Sequence, residues 1–253
     1  MRALVAALCT LALASPARAG APPDTAQALQ YVHVSHKLWW GLGTAVAIGG
    51  AAALDRTIEL ETDENHSEFE KKLADFAQPF GNAAVVGAAL AVTWGAAHLT
   101  DHPSLVRSTV RIGVADVTSG AEAFVLKNAI GRKRPKNSPG DPFQFEPFSG
   151  NESFPSGHTT IAFSTAVAID RETKARWVPF VVYPMAGLVG WSRIHDDEHW
   201  TSDVVAGAAL GVWTATAVEN HFARHGMGFF ERFCWTVEPE PHGLALGVRT
   251  GLE

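Results

Sequence analysis

A histidine and an aspartate stand four residues apart just before a long apolar stretch. His199 and Asp203 are expected to share one face of a helix, because residues i and i+4 are neighbours on a helix surface. A carboxylate placed there accepts a hydrogen bond from one ring nitrogen and leaves the other free as a base or nucleophile. Arg193 adds a cation six residues before the histidine. These three residue types together indicate a site for an anionic substrate.

Two earlier stretches carry residue types that bind phosphate groups. Lys127 and Arg134 offer a point charge and a planar fork to phosphate oxygens. Ser156 and Gly157 stand at a predicted helix start, where a hydroxyl and free backbone N–H groups favour an anion. His158 follows, and an imidazole at this point can protonate a leaving oxygen. Each stretch alone is also typical of an ordinary helix end, so the interpretation depends on all three occurring together.

The three stretches resemble the type 2 phosphatidic acid phosphatase (PAP2) and vanadium haloperoxidase superfamily. Its pattern runs K-x6-RP, then PSGH, then SR-x5-H-x3-D. All eleven specified positions occur here in that order, between Lys127 and Asp203. This ordered match is far more specific than any single block. It favours the phosphatase branch, because haloperoxidases are generally much larger.

The resemblance implies a role for each matching residue. His199 is implied to attack phosphorus and form a phosphohistidine, and Asp203 to orient it and stabilise its charge. His158 is implied to protonate the leaving alkoxide and then to activate water. The residues implied to hold the phosphoryl oxygens are Lys127, Arg134, Ser156, Arg193 and the backbone N–H of Gly157. The implied activity is hydrolysis of phosphomonoesters, lipid phosphates or diphosphates with no metal and no cofactor.

Composition and periodicity predict a single all-α domain. The chain has 253 residues, of which 47% are hydrophobic and 18% charged, which suffices for a sizeable core. Helical patterns predict a bundle of about six core helices within a domain at residues 38–220. In the expected tail at 221–253, two short alternating segments predict a small β-hairpin. The net charge of −6, without any basic stripe, argues against nucleic acid as a partner.

The first residues are typical of a secretory signal. Arg2 precedes an apolar stretch at residues 4–14, and Ala-Arg-Ala at 17–19 fits a cleavage site. We therefore expect a signal peptide at 1–19 and a flexible segment at 20–37. The resulting protein would be exported to the cell envelope, with its active site facing the periplasm. Several apolar runs are short or carry charges, so soluble and membrane-associated placements both stay open.

Three alternative interpretations use the same residues. The stretch from His195 to His199 reads HDDEH and fits the H-x-x-E-H pattern of inverted zinc metalloproteases. That interpretation leaves the Lys127, Arg134 and PSGH blocks unexplained. A vanadate-dependent haloperoxidase and a non-enzymatic envelope protein are the other two, although inactivating changes expected of the latter do not occur at the motif positions. The three acids inside HDDEH stand beside a predicted phosphate site, and the sequence gives no reason for them.

Overall fold

The computed structural model describes residues 26–63, 67–227, 234–240 and 243–249. Most of these residues form α-helices, so the predicted all-α bundle is confirmed. The helices are α1 (Ala26–Asp63), α2 (Glu68–Ala77), α3 (Ala83–Leu99), α4 (Pro103–Ile130), α5 (Gly157–Thr173), α6 (Pro179–His195) and α7 (Thr201–His225). Two short 3-10 helices, at Gln78–Gly81 and Pro135–Asn137, follow α2 and α4.

A two-stranded sheet follows the last helix. Strand β1 (Cys234–Glu240) pairs antiparallel with β2 (Gly243–Arg249). The register places Cys234 opposite Arg249 and Glu240 opposite Gly243. The hairpin predicted from the alternating segments is therefore present.

Helix α1 begins earlier than the sequence analysis expected. It already covers residues 26–37, for which we predicted a flexible segment. The stretch from Ala26 to Trp40 contains neither glycine nor proline, so no residue in it interrupts the helical hydrogen bonds. The predicted signal peptide at 1–19 lies outside the described residues.

Helix α5 lies at the centre of the bundle and contacts α4, α6 and α7. Its buried side chains pack in two clusters, one against α6 and one against α4 and α7. Two glycines on α7 permit the closest approach, because a Cβ atom at Gly207 or Gly211 would overlap the backbone carbonyl of Ser156 or Thr160. This contact fixes the start of α5 against the start of α7.

Many large apolar side chains remain exposed on the bundle surface. Trp39 in α1, Val92 in α3 and Phe180 in α6 expose 72%, 73% and 72% of their surface. No single helix in the described ranges is long and apolar enough to cross a membrane. One bent pair, Glu68–Gly81 with Ala83–Leu99 at 58°, reaches that length and composition.

Candidate active site

The PSGH block forms the start of α5, as predicted. Ser156 is the N-cap residue, but its side chain makes no capping hydrogen bond. Its Oγ instead accepts a hydrogen bond from Thr159 Oγ1 at 2.9 Å. Its backbone N–H donates to the carbonyl oxygen of Asp203 at 3.0 Å. The two predicted catalytic blocks are therefore joined directly through the backbone, and the Ser156 hydroxyl is not used as an ordinary helix cap.

His199 and Asp203 are neighbours in space. They do not share one face of a helix, which differs from our prediction. Helix α7 begins at Thr201, so His199 lies in the connection before it and Asp203 in its first turn. Asp203 Oδ2 accepts from the backbone N–H of Trp200 at 3.0 Å, which stabilises the helix start just after His199. His199 Nδ1 lies 3.7 Å from Asp203 Oδ2, which is within ion-pair distance but longer than a hydrogen bond. Both side chains are buried.

Asp203 is held in place by residues that the sequence analysis did not identify. Its Oδ1 accepts from Arg132 Nη1 at 2.5 Å, and its Oδ2 accepts from Ser153 Oγ at 2.5 Å. Arg132 Nη2 also donates to Asp55 Oδ2 at 2.8 Å, and Asp55 Oδ1 accepts from the backbone N–H of Ser202 at 2.8 Å. All five side chains are buried. They form a network of hydrogen bonds that fixes the Asp203 carboxylate on the side away from solvent.

The predicted phosphate ligands Lys127, Arg134 and Arg193 surround the start of α5. A Cβ atom built on Gly157 would lie 3.4 Å from Lys127 Cε, which places the lysine stem against the PSGH turn. Lys127 Nζ donates to the backbone carbonyl of Glu152. Burial and, to a smaller extent, the charge of Arg134 together lower the pKa of Lys127 to about 8.

Both arginines pair with acids from the HDDEH stretch. Arg134 Nη1 donates to Glu198 Oε2, and Arg193 Nη2 donates to Asp196 Oδ2. Two of the three acids that the sequence left unexplained thus neutralise two predicted phosphate ligands.

Charged residues of all three blocks lie close enough to His158 to affect its pKa. Burial is the largest cause that lowers its pKa, to about 4, and the charges of Arg193, His199, Lys127 and Arg134 add to it. Its Nε2 is buried without a hydrogen-bond partner. Buried polar atoms are nearly always hydrogen-bonded, so this nitrogen is suited to bind a polar group of a substrate.

His199 and Asp203 have opposite charge preferences. Burial lowers the pKa of His199, and the nearby Asp203 carboxylate opposes that shift only in part. Burial raises the pKa of Asp203, but its contact with His199 and the charge of Arg132 outweigh this effect and keep the pKa below its usual value. The arrangement therefore favours a neutral imidazole beside a charged carboxylate near neutral pH. A neutral imidazole is the form that can act as a nucleophile.

The zinc interpretation of HDDEH finds no ligand set in the described part of the chain. His195 Nδ1 lies 3.1 Å from Asp196 Oδ1, and its ring packs against Trp191 with centroids 5.0 Å apart. Glu198 pairs with Arg134 and with Lys136. Among the described residues, no three His, Cys, Asp or Glu side chains are grouped so that they could hold a metal ion.

Comparison with known proteins agrees with the pattern of the three blocks. Residues 108–225 match the family model described as the PAP2 superfamily. The chain is similar to a lipid A 1-phosphatase of Rhizobium johnstonii, with 39% identity over 117 residues, or 45% of this chain and 47% of that protein. It is also similar to an undecaprenyl-diphosphatase of Sulfolobus acidocaldarius, with 34% identity over 113 residues, or 43% and 54% of the two chains. The chain thus spans about half the length of the curated relatives it matches.

The fold is similar to that of a solved phosphatase. The crystal structure described as the first transmembrane PAP2 type phosphatidylglycerolphosphate phosphatase, from Bacillus subtilis, aligns with a TM-score of 0.59. The alignment covers 76% of this chain and 96% of that one at 21% sequence identity. At this identity the similarity establishes a shared fold.

Proposed function

We propose that the protein, whose residues 108–225 match the PAP2 superfamily model, is a phosphatase that hydrolyses lipid phosphate esters through a phosphohistidine. The observation that carries the proposal is the meeting of three distant sequence blocks around the buried His199 and the partly buried His158. The charges of Lys127, Arg134 and Arg193 contribute to lowering the pKa of His158. His199 Nδ1 lies 3.7 Å from Asp203 Oδ2. Cations near a neutral nucleophile and a proton donor suit phosphoryl transfer, which depends on positioning and electrostatic stabilisation.

In the first step, His199 attacks the phosphorus atom of the bound ester. A nitrogen–phosphorus bond forms as the bond from phosphorus to the leaving oxygen breaks. His158, in its protonated form, gives its proton to that oxygen, so the lipid leaves as an alcohol. The Asp203 carboxylate stabilises the positive charge that develops on His199. Binding of an anionic phosphate raises the pKa of His158 above its value in the empty site and so favours its acid form.

In the second step, the now neutral His158 removes a proton from water. The oxygen of that water attacks phosphorus, the nitrogen–phosphorus bond breaks, and inorganic phosphate forms. His199 returns to its neutral state and His158 to its protonated state. The phosphoryl oxygens are held in both steps by Lys127, Arg134, Arg193, the Ser156 hydroxyl and the backbone N–H of Gly157.

The surface beside the site supports a lipid substrate. Phe143, Phe145 and Phe148 expose 65%, 47% and 82% of their surface in the loop that leads from Arg134 to the PSGH block. Exposed apolar patches of this kind favour contact with lipid or protein. Two relatives of this chain are named lipid A 1-phosphatase and undecaprenyl-diphosphatase, and both names refer to a lipid substrate. We infer that the protein associates with an envelope membrane through this apolar surface and that its site faces the periplasm.

A substrate panel tests the proposal directly. The full chain, purified in detergent, is assayed for released phosphate with phosphatidate, a polyprenyl diphosphate and glycerol phosphate. We expect higher kcat/KM for the two lipids, and a loss of at least about 10³-fold in the His199→Ala variant, because the nucleophile is removed. The melting temperature of the variant should match that of the wild type.

Two results would contradict the proposal. A fully active His199→Ala variant removes the phosphohistidine mechanism. A preference for glycerol phosphate over both lipids removes the lipid part and leaves a general phosphomonoesterase.

A further inference from the structure

Lys136 and Glu198 lie at the open edge of the site, and neither belongs to the matched pattern. The Glu198 carboxylate bridges two cations, since its Oε2 accepts from Arg134 Nη1 and its Oε1 from Lys136 Nζ. The exposed fractions of the side chains are 28% for Arg134, 24% for Glu198 and 44% for Lys136. Lys136 is thus the most exposed of the three, and the implied phosphate ligand Arg134 is less exposed than Lys136.

The backbone holds this arrangement in place. The Lys136 N–H donates to the carbonyl oxygen of Asp197 at 3.4 Å, which joins the short helix Pro135–Asn137 to the HDDEH stretch. Burial raises the pKa of Glu198, but the hydrogen bond from Lys136 and the charge of Arg134 outweigh it and keep the pKa below its usual value. The carboxylate is therefore charged when the site is empty.

The bridging carboxylate of Glu198 occupies a position between the two cations that a phosphate group could also occupy. Its two oxygens reach one cation each, which is also how two oxygens of a phosphate group engage an arginine and a lysine. Ion pairs with this degree of exposure contribute little to stability, so a more highly charged anion can displace the carboxylate. The transferred phosphate already has Lys127, Arg193, Ser156 and Gly157 as implied ligands, which leaves Lys136 for a second anionic group.

We propose that Arg134 and Lys136 form a second anion subsite, which Glu198 fills until the second phosphate of a diphosphate substrate displaces it. This inference rests on the proposed function, because it assumes that Arg134 also contacts the transferred phosphate. Lys136 is then a specificity-determining residue that favours diphosphates over monophosphates. Glu198 is an internal competitor that makes an isolated phosphate group bind less well.

Calorimetric titration with inorganic pyrophosphate and orthophosphate tests the subsite. The protein is the full chain carrying His199→Ala, which prevents turnover during the measurement. We expect Lys136→Met to weaken pyrophosphate binding about tenfold and orthophosphate binding at most about twofold. Glu198→Gln should tighten pyrophosphate binding about tenfold, because the competing charge is removed. Glu146→Gln is the matched control, since it breaks an exposed pair with Lys133 and should change neither affinity by more than about twofold.

Three outcomes overturn the subsite. The first is that Lys136→Met weakens the binding of both anions equally. The second is that Glu198→Gln weakens the binding of pyrophosphate. The third is that pyrophosphate binds the parent protein no more tightly than orthophosphate. The titration needs no turnover, so its result is separate from the activity assay. An inactive wild type contradicts the proposed function, whereas an active enzyme whose Lys136→Met variant shows no selective loss contradicts only the subsite.

Discussion

On the buried side of the site, Asp203 is fixed by side chains from other parts of the chain, whereas on the open side Arg134 and Arg193 pair with acids of one short stretch. The buried side contains Arg132, which bridges Asp203 and Asp55 with both partners inaccessible to solvent. Breaking such a pair leaves a buried charge without compensation. The buried side is therefore suited to hold the Asp203 carboxylate in one position beside His199.

The open side is built to exchange partners. Glu198 and Asp196 keep about a quarter to a third of their side chains exposed, at 24% and 30%. Substrate oxygens can replace them as partners of the arginines, because the displaced carboxylates are partly exposed and can be solvated by water. If the proposed function is correct, the fold separates two tasks within one site, with positioning on the buried side and exchange of anions on the open side.

The largest expected effect is on the buried side. Arg132→Met leaves the carboxylates of Asp55 and Asp203 buried without their cation, so the free energy of unfolding should fall by about 3–5 kcal/mol. Lys133→Met is the neighbouring control, because its pair with Glu146 is 27% and 53% exposed and should contribute less than about 1 kcal/mol. Thermal unfolding followed by circular dichroism measures both variants. Equal losses of unfolding free energy in the two variants would contradict the proposal that the buried ion pairs stabilise the site more than the exposed ones.

Much of the site could be predicted from the sequence. The eight candidate residues are brought together because each block has fixed spacing and stands at a helix end. Lys127 near the end of α4, Ser156 at the start of α5 and Arg193 near the end of α6 are examples. A helix end presents its residues to the same region as its neighbours once the bundle is packed.

The buried network could not be predicted in this way. Arg132 and Asp55 are separated by 77 positions along the chain, and Arg132 and Asp203 by 71. Nothing in the local sequence says which of many arginines is buried, since that depends on how α1 packs against α7. The position of His199 outside α7 was missed for a related reason, because the Asp203 side chain caps the helix after His199.

His158 lies where the two sides meet, and its role can be separated from a structural one. The His158→Ala variant should lose about 10²–10⁴-fold in kcat/KM with an alkyl phosphate, whose leaving oxygen needs a proton. With p-nitrophenyl phosphate, whose leaving group departs as an anion, the loss in kcat/KM should be much smaller. Steady-state rates of released phosphate give both numbers. Equal losses with the two substrates would make His158 a structural residue.

A smaller effect is expected on the pH dependence of activity, where the basic limbs of the kcat/KM and kcat profiles should lie at different pH values. In the proposed mechanism His158 acts as an acid, so activity should fall as pH rises through its pKa, which burial and the nearby cations lower to about 4 in the free enzyme. The basic limb of kcat/KM reports the free enzyme, and that of kcat reports the complex. Because bound phosphate raises the pKa of His158, the kcat limb should lie at higher pH, by about one unit or more. Coincident limbs in the wild type would show that bound phosphate does not change this group.

Direct trapping tests whether a phosphohistidine forms on His199. The His158→Ala variant is mixed with p-nitrophenyl phosphate and quenched within milliseconds to seconds in alkali, where a nitrogen–phosphorus bond survives. Without His158 to activate water, the intermediate should accumulate. Intact-mass analysis and peptide mapping are expected to find one phosphoryl group, located on His199. Release of nitrophenol with no phosphoryl group on the protein, or with the group on another residue, would contradict the mechanism.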